Sequence, residues 1–149
     1  MGFGLLDGVT LGLTTLLTIV GTAAPPTGDP IKICSLASMT GGTSTFGTSY
    51  DAGVRLAAEE RNAAGGIMGR PVEIITADTE SDPNKTPLAV LKLIEQDKVV
   101  AVIGEVASTR SIAAAPACQK SRIPMLTPTS TNAKVTRLRQ LHLPQLLHR

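Results

Sequence analysis

Apolar and polar positions follow two different patterns between residues 29 and 136. Short apolar runs predict strands buried on both faces of a parallel sheet, at residues 31–37, 72–77, 99–103 and 123–126. Apolar residues at helical spacing predict three helices: residues 48–63, a segment that begins after Asp82-Pro83, and one that begins at Ser108 or Thr109. This alternation predicts an α/β fold with a doubly wound parallel sheet. We expect the strand order 2-1-3-4 with helices on both faces.

The helical segments also predict how their apolar side chains are arranged. In the first helix Tyr50, Val54, Ala57 and Ala58 are spaced along one face, and in the second Leu88, Leu91 and Ile94 point toward the sheet. Pro116 lies inside the third helix, where it removes one backbone hydrogen bond, so we expect a kink there.

Residues 1–28 differ in character from the rest of the chain. Residues 8–28 carry no charge, and a ten-residue apolar core at 11–20 precedes small residues. The pattern resembles a secretory signal and is too short for a membrane span. However, the first basic residue is Lys32, and Asp7 stands where a signal has Lys or Arg. Two interpretations remain open: a degenerate or mis-started export signal, and a disordered extension.

The other end of the chain, residues 137–149, contains five leucines, three arginines and two histidines with no β/α pattern, so we interpret it as an aberrant tail.

The formal net charge of +2 depends on those arginines, because the remaining chain has eleven basic and twelve acidic residues. No basic face is therefore expected. Aromatic residues make up only 2% of the chain. Both points argue against binding of nucleic acid.

The residue types that carry catalysis are scarce. Cys34 and Cys118 lack CxxC spacing, so they predict no metal or redox site, and we expect both to be small buried hydrophobic residues. Histidine occurs only as His142 and His148, which excludes a serine–histidine hydrolase arrangement from residues 1–136. We predict no catalytic residue, no metal and no cofactor.

A loop of glycine and hydroxyl residues, SMTGGTSTFG, follows the first predicted strand at residues 38–47. It lacks the Gly-Lys-Ser/Thr ending of a nucleotide-binding P-loop and the GxGxxG spacing. One interpretation is that it brings backbone amides and Phe46 to a ligand, and the other is an ordinary flexible loop. Asp78 and Glu80 follow the second strand and could approach this region, although carboxylates before a helix usually cap it.

The strongest binding signal lies at the ends of the last two strands. Ser108 precedes the third helix, and Thr129 and Thr131 follow the fourth strand. Ligands of open parallel sheets bind just outside the carboxyl ends of the strands. A hydroxyl and free amides at a helix N-terminus suit a carboxylate, although Ser108 could also be a plain N-cap. The pattern indicates binding rather than catalysis.

Four segments carry a family resemblance: IKICSLASMTGG, NAAGGIMGRPVE, DTESDP and IPMLTPTSTN. They lie within a match that covers about residues 30–136, and they resemble the type I periplasmic binding proteins of ABC importers, in the branch for branched-chain amino acids and related amides. The resemblance implies an exported, non-catalytic protein that closes two lobes around an amino acid or amide and then docks on an ABC permease in the membrane.

The resemblance also implies roles for four residues. Phe46 matches an aromatic ring that lines the cleft, and Ser108 matches the serine that holds the ligand α-carboxylate. Thr129 and Thr131 match positions whose backbone carbonyl and side-chain hydroxyl meet the α-amino and α-carboxylate groups.

The matching pattern is lost after Thr136, where relatives continue with further β/α units and a second lobe. We therefore expect residues 29–136 to be a partial first lobe, in a truncated or frame-shifted product that binds weakly or not at all. Two alternatives remain: an amide- or urea-sensing regulator of the same fold, and, less favoured, a small α/β enzyme that uses the strand-end loops. The sequence gives no indication of oligomeric state.

Overall fold

The computed structural model describes residues 24–137. The predictions for the signal-like segment and for the tail therefore lie outside the described residues, apart from residues 24–28 and Arg137. Thr27 and Gly28 donate backbone hydrogen bonds to the Gly69 carbonyl, at 3.0 and 3.2 Å. Among residues 24–137, no helix is both long enough and apolar enough to cross a bilayer.

Four parallel strands form the sheet: β1 (Ile31–Ala37), β2 (Val72–Asp78), β3 (Ala101–Gly104) and β4 (Met125–Leu126). Their order is β2-β1-β3-β4, which confirms the predicted topology. Cys34 at the centre of β1 lies opposite Ile75 on one side and Val102 on the other. The edge strand β4 pairs with β3 over two residues only. All four carboxyl ends therefore lie at the same edge.

The helices are α1 (Ser44–Ala63), α2 (Thr86–Lys92), α3 (Ser108–Lys120) and the short α4 (Lys134–Arg137). A π-helical segment, Leu93–Asp97, continues α2. The prediction that the first helix begins at residue 48 is wrong. Its first turn contains a single apolar residue, Phe46, and so has no apolar periodicity. The Thr43 carbonyl begins this turn by accepting from the N–H groups of Phe46 and Gly47. The proline inside α3, Pro116, does not end the helix.

One face of the sheet packs against α2 and α3. The buried side chains of this core include Cys34, Leu36, Val90, Leu93, Val102, Ala114 and Cys118. The two cysteines are free thiols, as expected for small buried residues. Burial raises the pKa of Cys34 to about 12 and that of Cys118 to about 11, so both stay neutral.

The predicted inner face of the second helix is only partly right. Leu91 and Ile94 pack against the core, but Leu88 is 74% exposed. The fully buried residues Thr86 and Val90, followed by Leu93, fall at helical spacing, and this rotates Leu88 into solvent.

On the opposite face of the sheet, α1 lies over β1 and β2. The four side chains predicted to share one face of α1 line the same open groove as Ile74 and Ile103 of the sheet. They are Tyr50, Val54, Ala57 and Ala58. Asp51 ties the helix to β2, because its carboxylate accepts from Thr76 Oγ1 at 2.7 Å and from Arg55 Nε at 2.8 Å. Helices thus cover both faces, as predicted.

Candidate functional site

The loops that follow the four strands meet at the carboxyl edge of the sheet. Gly47 brings the start of α1 against the end of β1, since a Cβ built on it would lie 2.0 Å from the Ser38 carbonyl oxygen. Gly104 ends β3 with φ +110°, and a Cβ there would lie 2.2 Å from the Leu36 carbonyl oxygen. Glycine at these two positions therefore lets the chain turn closely around the strand ends.

Ser108 is the first residue of α3 rather than its N-cap. Ala107 takes the cap position, in extended conformation, and its carbonyl accepts the N–H groups of Arg110 and Ser111 at 3.2 and 3.0 Å. The possible capping role of Ser108 is thus wrong, because its hydroxyl faces the loop after β4. There Ser108 Oγ accepts the Asn132 N–H at 3.3 Å. Within the described part of the chain Ser108 Oγ donates to no acceptor, so its hydrogen is available to a ligand.

The two predicted threonines lie on the loop after β4, in different situations. Thr129 Oγ1 donates to the Val106 carbonyl at 2.8 Å, which ties the loop to the segment after β3. Thr131 is exposed, and within residues 24–137 its hydroxyl has no hydrogen-bond partner. The structure therefore brings Ser108 together with the loop that carries Thr129 and Thr131.

Phe46 lies in the first turn of α1, at the same edge of the sheet but at the end of β1, which β3 separates from β4. Its ring is 67% exposed. An apolar ring of this size in solvent at a strand-end loop is available to contact a ligand.

The largest polar feature of this edge escaped the sequence analysis. Glu105, directly after β3, is fully buried. Its carboxylate accepts hydrogen bonds from Ser38 Oγ (2.6 Å), Thr79 Oγ1 (3.1 Å), the Ala107 N–H (3.0 Å) and Arg110 Nε (2.8 Å). These four donors come from three segments of the chain, and they take the place of the water molecules that would solvate an exposed carboxylate.

Arg110 completes this network from the first turn of α3. Its side chain is only 7% exposed, and Nη2 donates to Thr43 Oγ1 at 2.9 Å. A weaker contact of 3.5 Å joins Nη1 to the Ser81 carbonyl. A buried ion pair is tolerated when hydrogen bonds satisfy both partners, as they do here. The available sequence signal was a glutamate directly after a buried strand, with an arginine five residues later.

Asp78 shapes the glycine-rich loop after β1 instead of capping a helix. It accepts the N–H groups of Met39 and Glu80, and both the N–H and the hydroxyl of Thr40. Partial burial opposes its ionisation, but these hydrogen bonds outweigh burial and hold the pKa of Asp78 below its ordinary value. The loop is therefore fastened to β2 rather than freely flexible.

The arrangement fits binding of a small anion better than catalysis. It offers hydroxyls and the free N–H groups at the start of α3, where the helix dipole also favours negative charge. Within residues 24–137 no cluster of three or more histidine, cysteine or acidic side chains could hold a metal ion.

A sequence profile described as periplasmic binding protein matches residues 30–139. The chain belongs to this family. An amino acid binding protein of Pseudomonas aeruginosa is 38% identical to it over 97 residues, which is 65% of this chain and 26% of the relative. A leucine-, isoleucine-, valine-, threonine- and alanine-binding protein of the same organism is 32% identical over 72% of this chain and 29% of its own.

Solved structures agree with the sequence relatives. The branched-chain amino acid transporter substrate-binding protein LivJ of Streptococcus pneumoniae, in complex with isoleucine, matches with a TM-score of 0.70 and 32% identity over 72% of this chain and 31% of that one. The leucine-binding protein LivK of Thermotoga maritima matches with a TM-score of 0.67 and 40% identity over 72% and 30%. The chain thus spans less than a third of each of these relatives. The family resemblance and the α/β fold are both confirmed.

Proposed function

We propose that this chain supplies the carboxylate-binding part of a solute-binding protein that serves an ABC importer of branched-chain amino acids. The observation that carries the proposal is the meeting of Ser108 with the loop after β4, through the Asn132 N–H at 3.3 Å. In this proposal Ser108 and Thr131 donate hydrogen bonds to the α-carboxylate of the ligand. The Thr129 carbonyl accepts from its ammonium group, and the ring of Phe46 covers its apolar part.

The ligand class is supported by what the relatives are named for. LivJ was solved with isoleucine, and the two Pseudomonas proteins are named as amino acid binding proteins. A solute-binding protein of Rhodopseudomonas palustris, 25% identical, was solved with p-hydroxybenzoic acid, which also carries a carboxylate but no ammonium group. The shared carboxylate is the group that the hydroxyls of this edge suit. Aromatic acids are therefore the second ligand class to test.

The remaining features of the proposal follow from the family. We propose that the protein is exported to the periplasm, that it docks on a membrane permease and that it binds its ligand without catalysing a reaction. Glu105 would be the natural acid–base residue of a small enzyme at this edge, but its side chain is fully buried and its carboxylate accepts hydrogen bonds from Ser38 and Arg110. An amide-sensing regulator would use the same edge without the preference for a charged carboxylate.

The test compares a free amino acid with its carboxamide. We would record ¹⁵N NMR spectra of the chain during titration with L-leucine, with L-leucinamide and with 4-hydroxybenzoate, for wild type and for Ser108→Ala. Because the chain spans less than a third of its relatives, we expect weak binding, and NMR detects it at millimolar ligand. A hydrogen bond to a charged group contributes about 1.5–3 kcal/mol, so Ser108→Ala should weaken leucine binding at least tenfold.

Ser121→Ala is the matched control, since Ser121 lies at the far end of the same helix. It should leave leucine binding unchanged. Equal responses to leucine and leucinamide would favour the amide-sensing alternative, and a response to 4-hydroxybenzoate alone would favour the aromatic acids. No response at Ser108 or Asn132 to any of the three would refute the proposed site.

A further inference from the structure

The loop after β4 is held by hydroxyl groups more than by the sheet. β3 and β4 pair only through Val102 with Met125 and Ile103 with Leu126. Beyond them the loop, residues 127–132, is attached to the segment after β3 through side chains. The hydroxyls that reach the main-chain carbonyl of Glu105 belong to Ser111 (3.0 Å), Thr127 (3.0 Å) and Ser130 (3.2 Å).

These contacts make one carbonyl group the support of the loop. Ser130 Oγ also lies 2.7 Å from Ser111 Oγ, and the Ser130 N–H donates to Thr127 Oγ1 at 3.3 Å. A movement of the Glu105 carbonyl would therefore carry Thr127 and Ser130 with it. Thr131 follows directly in the chain.

The direction of that carbonyl is fixed by the side chain of the same residue. Rotating the Glu105 backbone would withdraw the buried carboxylate from Ser38, Thr79 and Arg110. It would also break the bond between the carboxylate and the Ala107 N–H, one residue before Ser108. Both halves of the proposed carboxylate site thus depend on a side chain that is fully buried.

We propose that Glu105, paired with Arg110, is the positioning residue that brings Ser108 and Thr131 to a single carboxylate. The ligand in this inference rests on the proposed function, whereas the position of the loop does not. If the ion pair only stabilises the fold, its loss should lower stability without moving the loop selectively.

Asp51 provides a matched control for this distinction. It is a buried carboxylate as well, paired with an arginine on its own helix and with a hydroxyl from a strand. It lies on α1, and its carboxylate accepts from Thr76 of β2, the edge strand at the other side of the sheet from β4. Asp51→Asn should therefore lower stability and leave the loop in place.

The experiment compares ¹⁵N NMR spectra of the whole chain as wild type, Glu105→Gln and Asp51→Asn. Glutamine keeps the shape, can accept from Arg110 and can donate to the hydroxyls, but it lacks the charge. We expect Glu105→Gln to shift or broaden the Ser130 and Asn132 amide signals without ligand, while those of Cys34 and Ile75 stay. Leucine-induced changes at Asn132 should fall about tenfold at equal leucine concentration.

If Glu105→Gln fails to fold, the double variant with Arg110→Met leaves no charge unpaired and takes its place. Unchanged loop signals in the folded variant, or equal changes in Asp51→Asn, would overturn the inference. A wild-type chain that shows no leucine response would refute the proposed function alone, and the ligand-free spectra would still decide the role of Glu105.

Discussion

Replacing Gly104 by alanine should be among the most damaging small changes in this chain. Its φ of +110° is one that L side chains rarely adopt, and the new Cβ would lie 2.2 Å from the Leu36 carbonyl oxygen and 3.0 Å from Tyr50 Oη. Backbone strain of this kind costs about 1–3 kcal/mol. Overpacking costs about as much again, typically 1–3 kcal/mol. We expect the free energy of unfolding to fall by about 3 kcal/mol, a large share of the 5–15 kcal/mol usual for a domain.

Urea denaturation followed by circular dichroism measures this loss. With a slope of about 2 kcal/mol per molar urea, the midpoint should fall by about 1.5 M. Gly53→Ala supplies the control, because Gly53 lies inside α1 and a Cβ there would meet nothing within 4 Å. That substitution should raise the midpoint, since alanine favours a helix interior over glycine by about 0.5–1 kcal/mol.

The opposite signs make the comparison decisive. An unchanged midpoint for Gly104→Ala would show that the end of β3 can relax away from the Leu36 carbonyl. The close packing of this turn would then be no constraint. If the urea midpoint fell by a similar amount for both variants, the argument from steric crowding would be refuted, because only Gly104 is crowded.

Two further predictions concern the core and the loop after β1. Val90→Ala should lower the free energy of unfolding by about 2 kcal/mol, whereas Leu88→Ala should leave it nearly unchanged, because Val90 is buried and Leu88 is exposed. Urea denaturation measures both values. Equal effects of the two substitutions would contradict the orientation of α2. Asp78 has a lowered pKa, so its stabilisation is complete above its ordinary value of 3.8 and is lost as the pH falls through the lowered value. Asp78→Asn should therefore flatten the decline of stability in acid, and an unchanged pH profile would contradict this.

The topology could be predicted because buried strands and amphipathic helices leave periodic patterns in the sequence. The first turn of α1, residues 44–47, could not, since its single apolar residue gives no periodic pattern and the turn forms through the Thr43 carbonyl. The orientation of α2 was missed at Leu88 for a related reason. Apolar residues on both sides of a short helix allow two faces, and only packing against β2 and α3 selects one.

The ligand site itself stays a prediction. The sequence predicted that Ser108 and the loop after the fourth strand lie close together, and the Asn132 N–H donates to Ser108 Oγ at 3.3 Å. Glu105 and Arg110 were passed over because charged residues are usually solvated, and nothing local marks the exceptions. Their burial depends on donors far away in the chain, such as Ser38 and Thr43. The ligand-binding roles inferred for Phe46, Ser108, Thr129 and Thr131 remain predictions.

The brevity of β4 has a consequence for how this edge of the molecule can change over evolutionary time. A strand paired over two residues constrains very little of the chain that follows it. Insertions or substitutions in residues 127–132 can therefore alter the shape of the rim without disturbing the four-stranded framework or its buried core. Selection can act on this rim almost independently of foldability, provided that the few hydroxyl anchors are kept. A constant sheet combined with a changeable loop after β4 suits a fold whose solved members bind ligands as different as isoleucine and p-hydroxybenzoic acid.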